Sequence, residues 1–225
     1  MTRMTRYALY YAPRRGGFAE AAARWLGWDI QRGCTLPQPA IAGLDSDTAA
    51  PRRYGFHGTI KPPFRLAEGV SPDDLAQAVQ QLAARLRMVE MPGLMLVTLS
   101  GFLALIPRGD TAAMQALAAQ VVRDLEPFRA ALTPDEVARR RPDHLTPRQA
   151  DLLAQYGYPF VMEEFSFHLT LTGPLPPPRA TLLEPLARAH FDGVMPQPFR
   201  VTDLCLCGEA PGGQFSVLHR YALSA

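Results

Sequence analysis

Two short stretches of the sequence combine residue types that can transfer protons and bind anions. FHGTI, in the first half of the chain, and FHLTL, in the second half, share the pattern apolar–His–x–Thr–apolar, and their histidines lie 111 residues apart (168 − 57). Along a β-strand, residues i and i+2 point to the same face and are roughly 7 Å apart. Each motif therefore presents an imidazole and a hydroxyl on one face: His57 with Thr59, and His168 with Thr170.

Two histidines and two threonines suit the hydrolysis of a phosphodiester. One imidazole, neutral near pH 7, can take a proton from water, while the other, protonated, can give one to the leaving oxygen. Threonine hydroxyls can donate hydrogen bonds to the non-bridging oxygens of a phosphate held between the two rings. We therefore predict that His57 and His168 are catalytic, that Thr59 and Thr170 bind phosphate, and that no metal or cofactor is required.

Other interpretations of these motifs remain open at this point. The polar side of a solvent-facing antiparallel strand has the same alternation, although two copies at equivalent places argue against it. Metal-dependent hydrolysis would need a third ligand, and the sequence has no His-Glu-x-x-His helix. A Ser/His/Asp triad lacks its Gly-x-Ser-x-Gly elbow. A third His-x-Thr, at His144, is expected to be a bystander because Thr146 precedes a proline and begins a helix-capping pattern.

The elements around the two motifs follow the same order. Each motif strand is followed by a proline-rich turn, a helix and a pair of strands, which predicts duplicated α/β modules. We expect a pseudo-twofold relation that brings the two motif strands together around a shared cleft. The predicted fold class is α+β, with two antiparallel sheets facing across a central cleft and helices on the outside. It forms a single domain of two lobes, roughly 1–108 and 109–225.

The bulk properties of the chain limit its partners. Hydrophobic residues make up 48% of the 225 positions and charged residues 20%, as in globular proteins. A net charge of +2 is too small for bulk attraction to nucleic acid, so an anionic partner must be held locally. The three cysteines are an odd number without a disulfide framework, and we expect reduced thiols in the cytoplasm. YALYYA is too short for a signal peptide, and no segment is apolar over a bilayer's width, so no membrane partner is expected.

Longer stretches of the sequence carry a family resemblance. RYALYYAP, RYGFHGTIKPPF, LTPRQADLLAQYGYPFV and FSFHLTLTGPL, with the paired motifs, resemble the 2H phosphoesterase superfamily. They are most similar to its branch that is often encoded beside carbon–phosphorus lyase genes and is named for phosphonate metabolism. The resemblance covers most of the chain. It implies a metal-independent phosphodiesterase with two facing lobes, with His57, Thr59, His168 and Thr170 in its site.

We expect the substrate to be a small cyclic phosphodiester, a ribose or nucleotide cyclic phosphate, the ribose being suggested by the gene neighbourhood of the family. One alternative is a 2′,3′-cyclic phosphodiesterase that processes RNA ends, although a long basic track with interleaved aromatics is absent. Another is a non-catalytic nucleotide-binding module, and the intact histidines argue against this alternative. No obligate protein partner is evident. Six further residues are candidate substrate contacts: Lys61, Arg52, Tyr7, Tyr11, Tyr158 and Arg141.

Overall fold

The structure is a computed structural model and describes residues 4–224. Its strands are β1 (Arg6–Tyr11), β2 (Trp28–Asp29), β3 (Cys34–Thr35), β4 (Gly58–Phe64), β5 (Val89–Met91), β6 (Leu94–Leu99), β7 (Phe102–Pro107), β8 (Leu169–Thr170), β9 (Phe199–Val201), β10 (Asp203–Glu209) and β11 (Phe215–Ala222). Its α-helices are α1 (Gly17–Leu26), α2 (Leu44–Asp47), α3 (Ala49–Arg52), α4 (Pro72–Ala83), α5 (Ala112–Asp124), α6 (Pro134–Ala138), α7 (Pro147–Tyr156) and α8 (Pro177–Phe191). The predicted α+β class is confirmed.

The main sheet has seven strands, all antiparallel, in the order β11-β10-β1-β4-β8-β7-β6. Two small sheets, β2-β3 and β5-β9, complete the strand pairing. The two motif strands, β4 and β8, lie side by side in the main sheet and are joined through the pair Gly58–Leu169. The two sheets expected from the sequence are thus two halves of one sheet, because the motif strands pair with each other.

The duplication predicted from the element order is visible in the strand pairing. The first module runs β4–α4–β5–β6–β7 and the second runs β8–α8–β9–β10–β11. Equivalent strands pair with each other, β4 with β8 and β5 with β9. The hairpins are exchanged between the modules. The hairpin of the first module, β6–β7, pairs through β7 with β8 of the second module. The hairpin of the second module, β10–β11, pairs through β10 with β1, and β1 pairs with β4 of the first module. A lobe boundary near residue 108 therefore does not divide the sheet, since each half of the sheet contains strands from both halves of the chain.

The second motif strand is shorter than its sequence suggests. The alternation from 163 to 173 predicts one long strand, but only Leu169–Thr170 is β-strand and a 3₁₀ turn occupies Met162–Glu164. Beyond β8 the backbone is held by other partners. The N–H of Leu171 donates to Leu103, and the carbonyl of Leu171 accepts from the indole of Trp25.

The core lies on the face of the motif strands opposite the histidines. Phe167, Leu169 and Leu171 are buried there together with Ile60. Gly58 lies directly against the ring of Phe167, and a Cβ built on Gly58 would be 2.3 Å from Cζ of that ring. No side chain larger than hydrogen fits between the two motif strands at this point.

Gly58→Ala is expected to lower the free energy of unfolding by about 1–3 kcal/mol, the usual cost of overpacking a filled core. The added methyl group must displace Phe167, which is buried and cannot swing into solvent. Urea denaturation followed by circular dichroism measures the change. Gly17→Ala is the matched control, because its Cβ would meet Val194 at an ordinary contact distance of 3.4 Å. If Gly58→Ala unfolds at the urea concentration of the wild type, the packing of Phe167 is not as described.

Candidate active site

The register of the two motif strands brings the four predicted residues together. Because Gly58 is opposite Leu169 in an antiparallel pair, its neighbours are also opposed: His57 with Thr170, and Thr59 with His168. Along each strand, the side chains just before and just after a paired residue point to the face opposite that residue's own side chain. The two imidazoles therefore lie diagonally across one patch of sheet, and each has a threonine hydroxyl beside it and another opposite it.

Both histidine rings are oriented in the same way. Nδ1 of His57 lies 2.8 Å from the carbonyl of Gly55, and Nδ1 of His168 lies 2.8 Å from the carbonyl of Ser166. A carbonyl oxygen only accepts hydrogen bonds, so each Nδ1 carries its hydrogen and donates it. In both rings Nε2 is thereby left as the nitrogen that can exchange a proton with a substrate.

The turn before the first motif requires glycine. Gly55 has a φ of +70°, and a Cβ there would lie 2.6 Å from Cβ of Ile30. The left-handed conformation costs glycine little. It allows the carbonyl of Gly55 to accept the hydrogen bond from Nδ1 of His57, so this glycine helps to set the orientation of the His57 ring.

His57 is held in its neutral form. Burial lowers its pKa to about 4, the hydrogen bond to Gly55 opposes this effect, and a positive charge on His168 lowers the pKa further. The hydroxyl of Thr59 lies 3.2 Å from Nε2 and can donate to it. Near pH 7 the ring of His57 is therefore neutral, and its Nε2 lone pair can accept a proton.

We expect kcat/KM to fall as the pH drops through about 4, because protonation of His57 removes the base in the free enzyme. His57→Gln should abolish this acidic limb, whereas His168→Gln should keep it. The measurement is the pH profile of kcat/KM for each variant.

Circular dichroism at each pH provides the control for that profile. When the pKa of a histidine is lower in the folded than in the unfolded state, its contribution to stability is fully present at any pH above its unfolded-state pKa. This contribution is lost as the pH falls towards the folded-state pKa. For His57 that window runs from the ordinary histidine pKa of 6.5 down to about 4. An acidic limb that persists in His57→Gln while the protein stays folded would contradict the assignment of His57 as base.

The structure adds a tyrosine that the sequence analysis did not select. The ring of Tyr10 stacks on His57 with 3.9 Å between centroids, and its buried hydroxyl has no hydrogen-bond partner within residues 4–224. Tyr10 is opposite Thr59 in the β1–β4 pairing and so shares the face of the motifs. Tyr7 and Tyr11, proposed as substrate contacts, alternate with it and are buried in the core on the other face. The two predicted tyrosine contacts are therefore placed away from the site.

Three of the other candidate contacts are also placed away from the motifs. The side chain of Lys61 is buried, and its Nζ donates to Glu126 and to the carbonyl of Val122. Arg52 donates to the backbone of α1 and of α2, through the carbonyls of Leu26 and Asp45. Arg141 is exposed and lines neither cavity described below. Tyr158 alone of the six candidates lines the cavity that contains motif residues.

Two cavities adjoin the motif face. The aromatic cavity, of about 390 Å³, is lined by Thr59 and His168 with Phe102, Tyr158, Phe160 and Phe165. The arginine cavity, of about 280 Å³, is lined by Tyr54, whose ring centroid is 6.1 Å from that of His57, and by Arg6, Arg53, Arg65, Arg129, Arg139 and Arg140. Pro62 lines both cavities, so they share a wall.

Within residues 4–224, no three or more His, Cys, Asp or Glu side chains are grouped so that they could hold a metal ion. No helix in the same range has the length and apolar character needed to cross a membrane.

The fold and the site define an α+β protein of two modules, with a pair of His-x-Thr motifs on one sheet face. The chain belongs to the family described as "Protein of unknown function (DUF1045)", whose model matches residues 59–216. Thr59, His168 and Thr170 lie within that range, and His57 lies two residues before it.

Two curated relatives are both called ribose 1,5-bisphosphate phosphokinase PhnN. The protein of Janthinobacterium sp. (strain Marseille) is 35% identical over 232 residues, which cover 98% of this chain and 51% of that protein. The protein of Laribacter hongkongensis (strain HLHK9) is 35% identical over 211 residues, covering 92% and 49%. The chain thus spans about half the length of the curated relatives it matches.

Two solved structures are similar over the whole chain. A crystal structure of a phosphoesterase aligns with a TM-score of 0.44 at 15% identity, covering 98% of this chain and 99% of the other. Apo LigT of E. coli aligns with a TM-score of 0.43 at 14% identity, covering 100% of both chains.

Proposed function

We propose that this protein is a metal-independent phosphodiesterase that hydrolyses a small cyclic phosphodiester, a ribose or nucleotide cyclic phosphate. The observation that carries the proposal is the register of β4 and β8, which opposes His57 to Thr170 and His168 to Thr59. Two imidazoles, each with Nδ1 bound to a backbone carbonyl and Nε2 not bound to the backbone, would provide one base and one acid, so side chains can supply both proton transfers of a hydrolysis.

The proposed reaction has a single displacement step. Nε2 of His57 takes a proton from water as the water oxygen forms a bond to phosphorus. The bond from phosphorus to one ring oxygen breaks, and Nε2–H of His168 donates its proton to that oxygen. The hydroxyls of Thr59 and Thr170 donate to the non-bridging oxygens, where negative charge grows in the transition state. The product is a phosphate monoester beside a free hydroxyl.

The names of the curated relatives support a ribose substrate. Both relatives are named for a kinase that acts on ribose 1,5-bisphosphate. Kinases of the P-loop class hold ATP with Gly-x-x-x-x-Gly-Lys-Ser/Thr, whereas the one lysine of this chain, Lys61, is followed by proline. We therefore assign the kinase activity of the relatives to the part of their length that this chain does not match. A cyclic phosphodiesterase would supply such a kinase with a ribose phosphate, consistent with the resemblance to the phosphonate-associated branch.

A cytoplasmic location is part of the proposal. Cys205 and Cys207 are buried free thiols, and Cys34 is also unpaired. Free thiols persist in compartments that keep cysteines reduced.

A hydrolysis screen in the presence of EDTA tests the proposed function. The panel contains ribose cyclic phosphates, 2′,3′- and 3′,5′-cyclic nucleotides, and RNA ending in a cyclic phosphate. We expect ring opening of at least one small cyclic phosphate with the chelator present. Activity that disappears with EDTA and returns with a divalent ion would overturn the metal-independent mechanism. Tight binding without turnover across the panel would instead support a nucleotide-binding module.

The aromatic cavity favours a second candidate, a 2′,3′-cyclic phosphodiesterase that processes RNA ends. Phe102, Tyr158 and Phe160 line it beside His168, and aromatic faces of this kind can stack on bases. In the same screen, a kcat/KM for cyclic-ended RNA well above that for every small cyclic phosphate would favour this candidate.

A further inference from the structure

The arginine cavity carries more positive charge than its acidic neighbours neutralise. Seven cations and one carboxylate line it: Arg6, Arg53, Lys61, Arg65, Arg129, Arg139, Arg140 and Glu136. Four of the cations have carboxylate partners, since Glu126 pairs with Lys61 and Arg129, Glu136 with Arg65, and Glu209 with Arg6. The other three, Arg53, Arg139 and Arg140, make no ion pair within residues 4–224.

Two of these three guanidinium groups are held in place by contacts other than ion pairs. The guanidinium of Arg140 lies over the ring of Tyr158, 4.8 Å from its centroid, a cation–π contact that leaves its hydrogen-bond donors free. Arg53 lies against Gly213, where φ is +86° and a Cβ would come within 2.8 Å of Nη2. The glycine thus leaves room for the arginine. Arg53 and Arg140 thus hold positive charge at the cavity, and no carboxylate of residues 4–224 forms an ion pair with either, although Glu209 is close enough to interact electrostatically with Arg53.

The arginine cavity lies next to the catalytic histidines. Tyr54 lines the cavity, and its ring centroid is 6.1 Å from that of His57. Tyr158, which lies under Arg140, lines the aromatic cavity that also contains His168 and Thr59. An anionic group in the arginine cavity can therefore belong to the same small molecule as the phosphate between the two histidines.

We propose that Arg53, Arg139 and Arg140 bind a terminal phosphate monoester of the substrate, separate from the ester that the histidines hydrolyse. The proposal rests on the proposed function and narrows its substrate class to cyclic phosphates that carry a second phosphate. A cyclic diester has two non-bridging oxygens and one negative charge, which the two threonines can serve. A terminal monoester has three such oxygens and close to two charges, and planar guanidinium groups bind these oxygens in pairs.

A matched pair of substrates tests this subsite. Adenosine 2′,3′-cyclic phosphate and its 5′-phosphorylated form differ only in the terminal phosphate. In the double variant Arg53→Gln/Arg140→Gln we expect kcat/KM for the 5′-phosphorylated form to fall on the order of 10²-fold, mainly through KM, because charged hydrogen bonds are lost. For the unphosphorylated form the change should stay within about threefold. Equal losses for both substrates would overturn the proposal.

Arg141→Gln is the control for general loss of positive charge, because this neighbour is exposed and lines neither cavity. It should leave both rates near those of the wild type. A dinucleotide that ends in a cyclic phosphate serves as a third substrate in this test. If the arginines increase its hydrolysis more than that of the 5′-phosphorylated mononucleotide, the cavity serves a phosphodiester of an RNA chain, and the proposal of a terminal monoester is wrong.

Calorimetry with ribose 5-phosphate, and with ribose as its reference, separates this proposal from the proposed function. We expect the double arginine variant to weaken ribose 5-phosphate binding at least 10-fold, and His57→Ala to change it by less than about threefold. Weakening by the arginine variant without hydrolysis of any cyclic phosphate would support the subsite and refute the phosphodiesterase. An affinity that depends on His57 and not on the arginines, or no preference over ribose, would overturn the subsite whatever the activity.

Discussion

Alanine at His57 or at His168 is expected to lower kcat for the cyclic substrate by on the order of 10²–10⁴, the usual contribution of one general acid or base. Both rings have Nδ1 committed to a backbone carbonyl and Nε2 left for proton exchange, so neither can replace the other without loss of one transfer. In the variant lacking both histidines, the fold-loss in kcat should be far smaller than the product of the two single losses, because the effects of residues that act as a unit are not additive. The measurement is single-turnover and steady-state hydrolysis of the best substrate from the screen.

His144→Ala is the matched control for the histidine variants. His144 also belongs to a His-x-Thr sequence, but its Thr146 caps α7, with the hydroxyl accepting from the backbone N–H of Gln149. Its kcat should stay near that of the wild type. If His57→Ala and His168→Ala raised KM and left kcat intact, the two rings would form a binding clamp and the chemistry would have to lie elsewhere.

Valine at Thr59 or at Thr170 is expected to lower kcat by on the order of 10–10³, because one donor to the phosphate oxygens is lost. The loss should be smaller than for the histidines since proton transfer survives. Valine keeps the branched shape and removes only the hydroxyl. Thr59 also lies 3.2 Å from Nε2 of His57, so Thr59→Val should shift the acidic limb of the pH profile, whereas Thr170→Val should not.

Thr98→Val controls for the loss of a strand hydroxyl. Thr98 is an exposed residue of β6, away from the motif strands. It should leave kcat within about twofold of the wild type. Equal losses in all three valine variants would mean that a general change of the sheet, and not contact with the phosphate, explains the effect.

The sequence was sufficient to predict features that depend on local spacing. The capping box at Thr146 is present with both of its hydrogen bonds, because it depends on residues three positions apart. The α+β class follows from the order of the elements. The two His-x-Thr motifs could be found because their alternation is itself local.

Features that depend on strand register could not be predicted in this way. Which of Tyr7, Tyr10 and Tyr11 reaches the motifs is decided by the pairing of β1 with β4, and that pairing joins distant parts of the chain. Lys61 follows Thr59 by two residues and by simple alternation would share its face. An extra residue in β4, between the pairs Tyr10–Thr59 and Leu9–Lys61, breaks the alternation, and Lys61 extends to Glu126 instead.

The pairing of β4 with β8 and of β5 with β9 joins each strand to its own counterpart. Contacts of this kind are isologous, the form taken by the interface of a twofold-symmetric homodimer. Here they lie within one polypeptide, and the exchanged hairpins correspond to a domain swap between the two units. One half of the chain contributes a single imidazole and a single hydroxyl, which is half of a proton-transfer pair. The site that we propose is therefore built like one shared between two subunits, although both halves belong to a single chain. In the proposed mechanism, divergence of the two copies would allow one histidine to act as the base and the other as the acid.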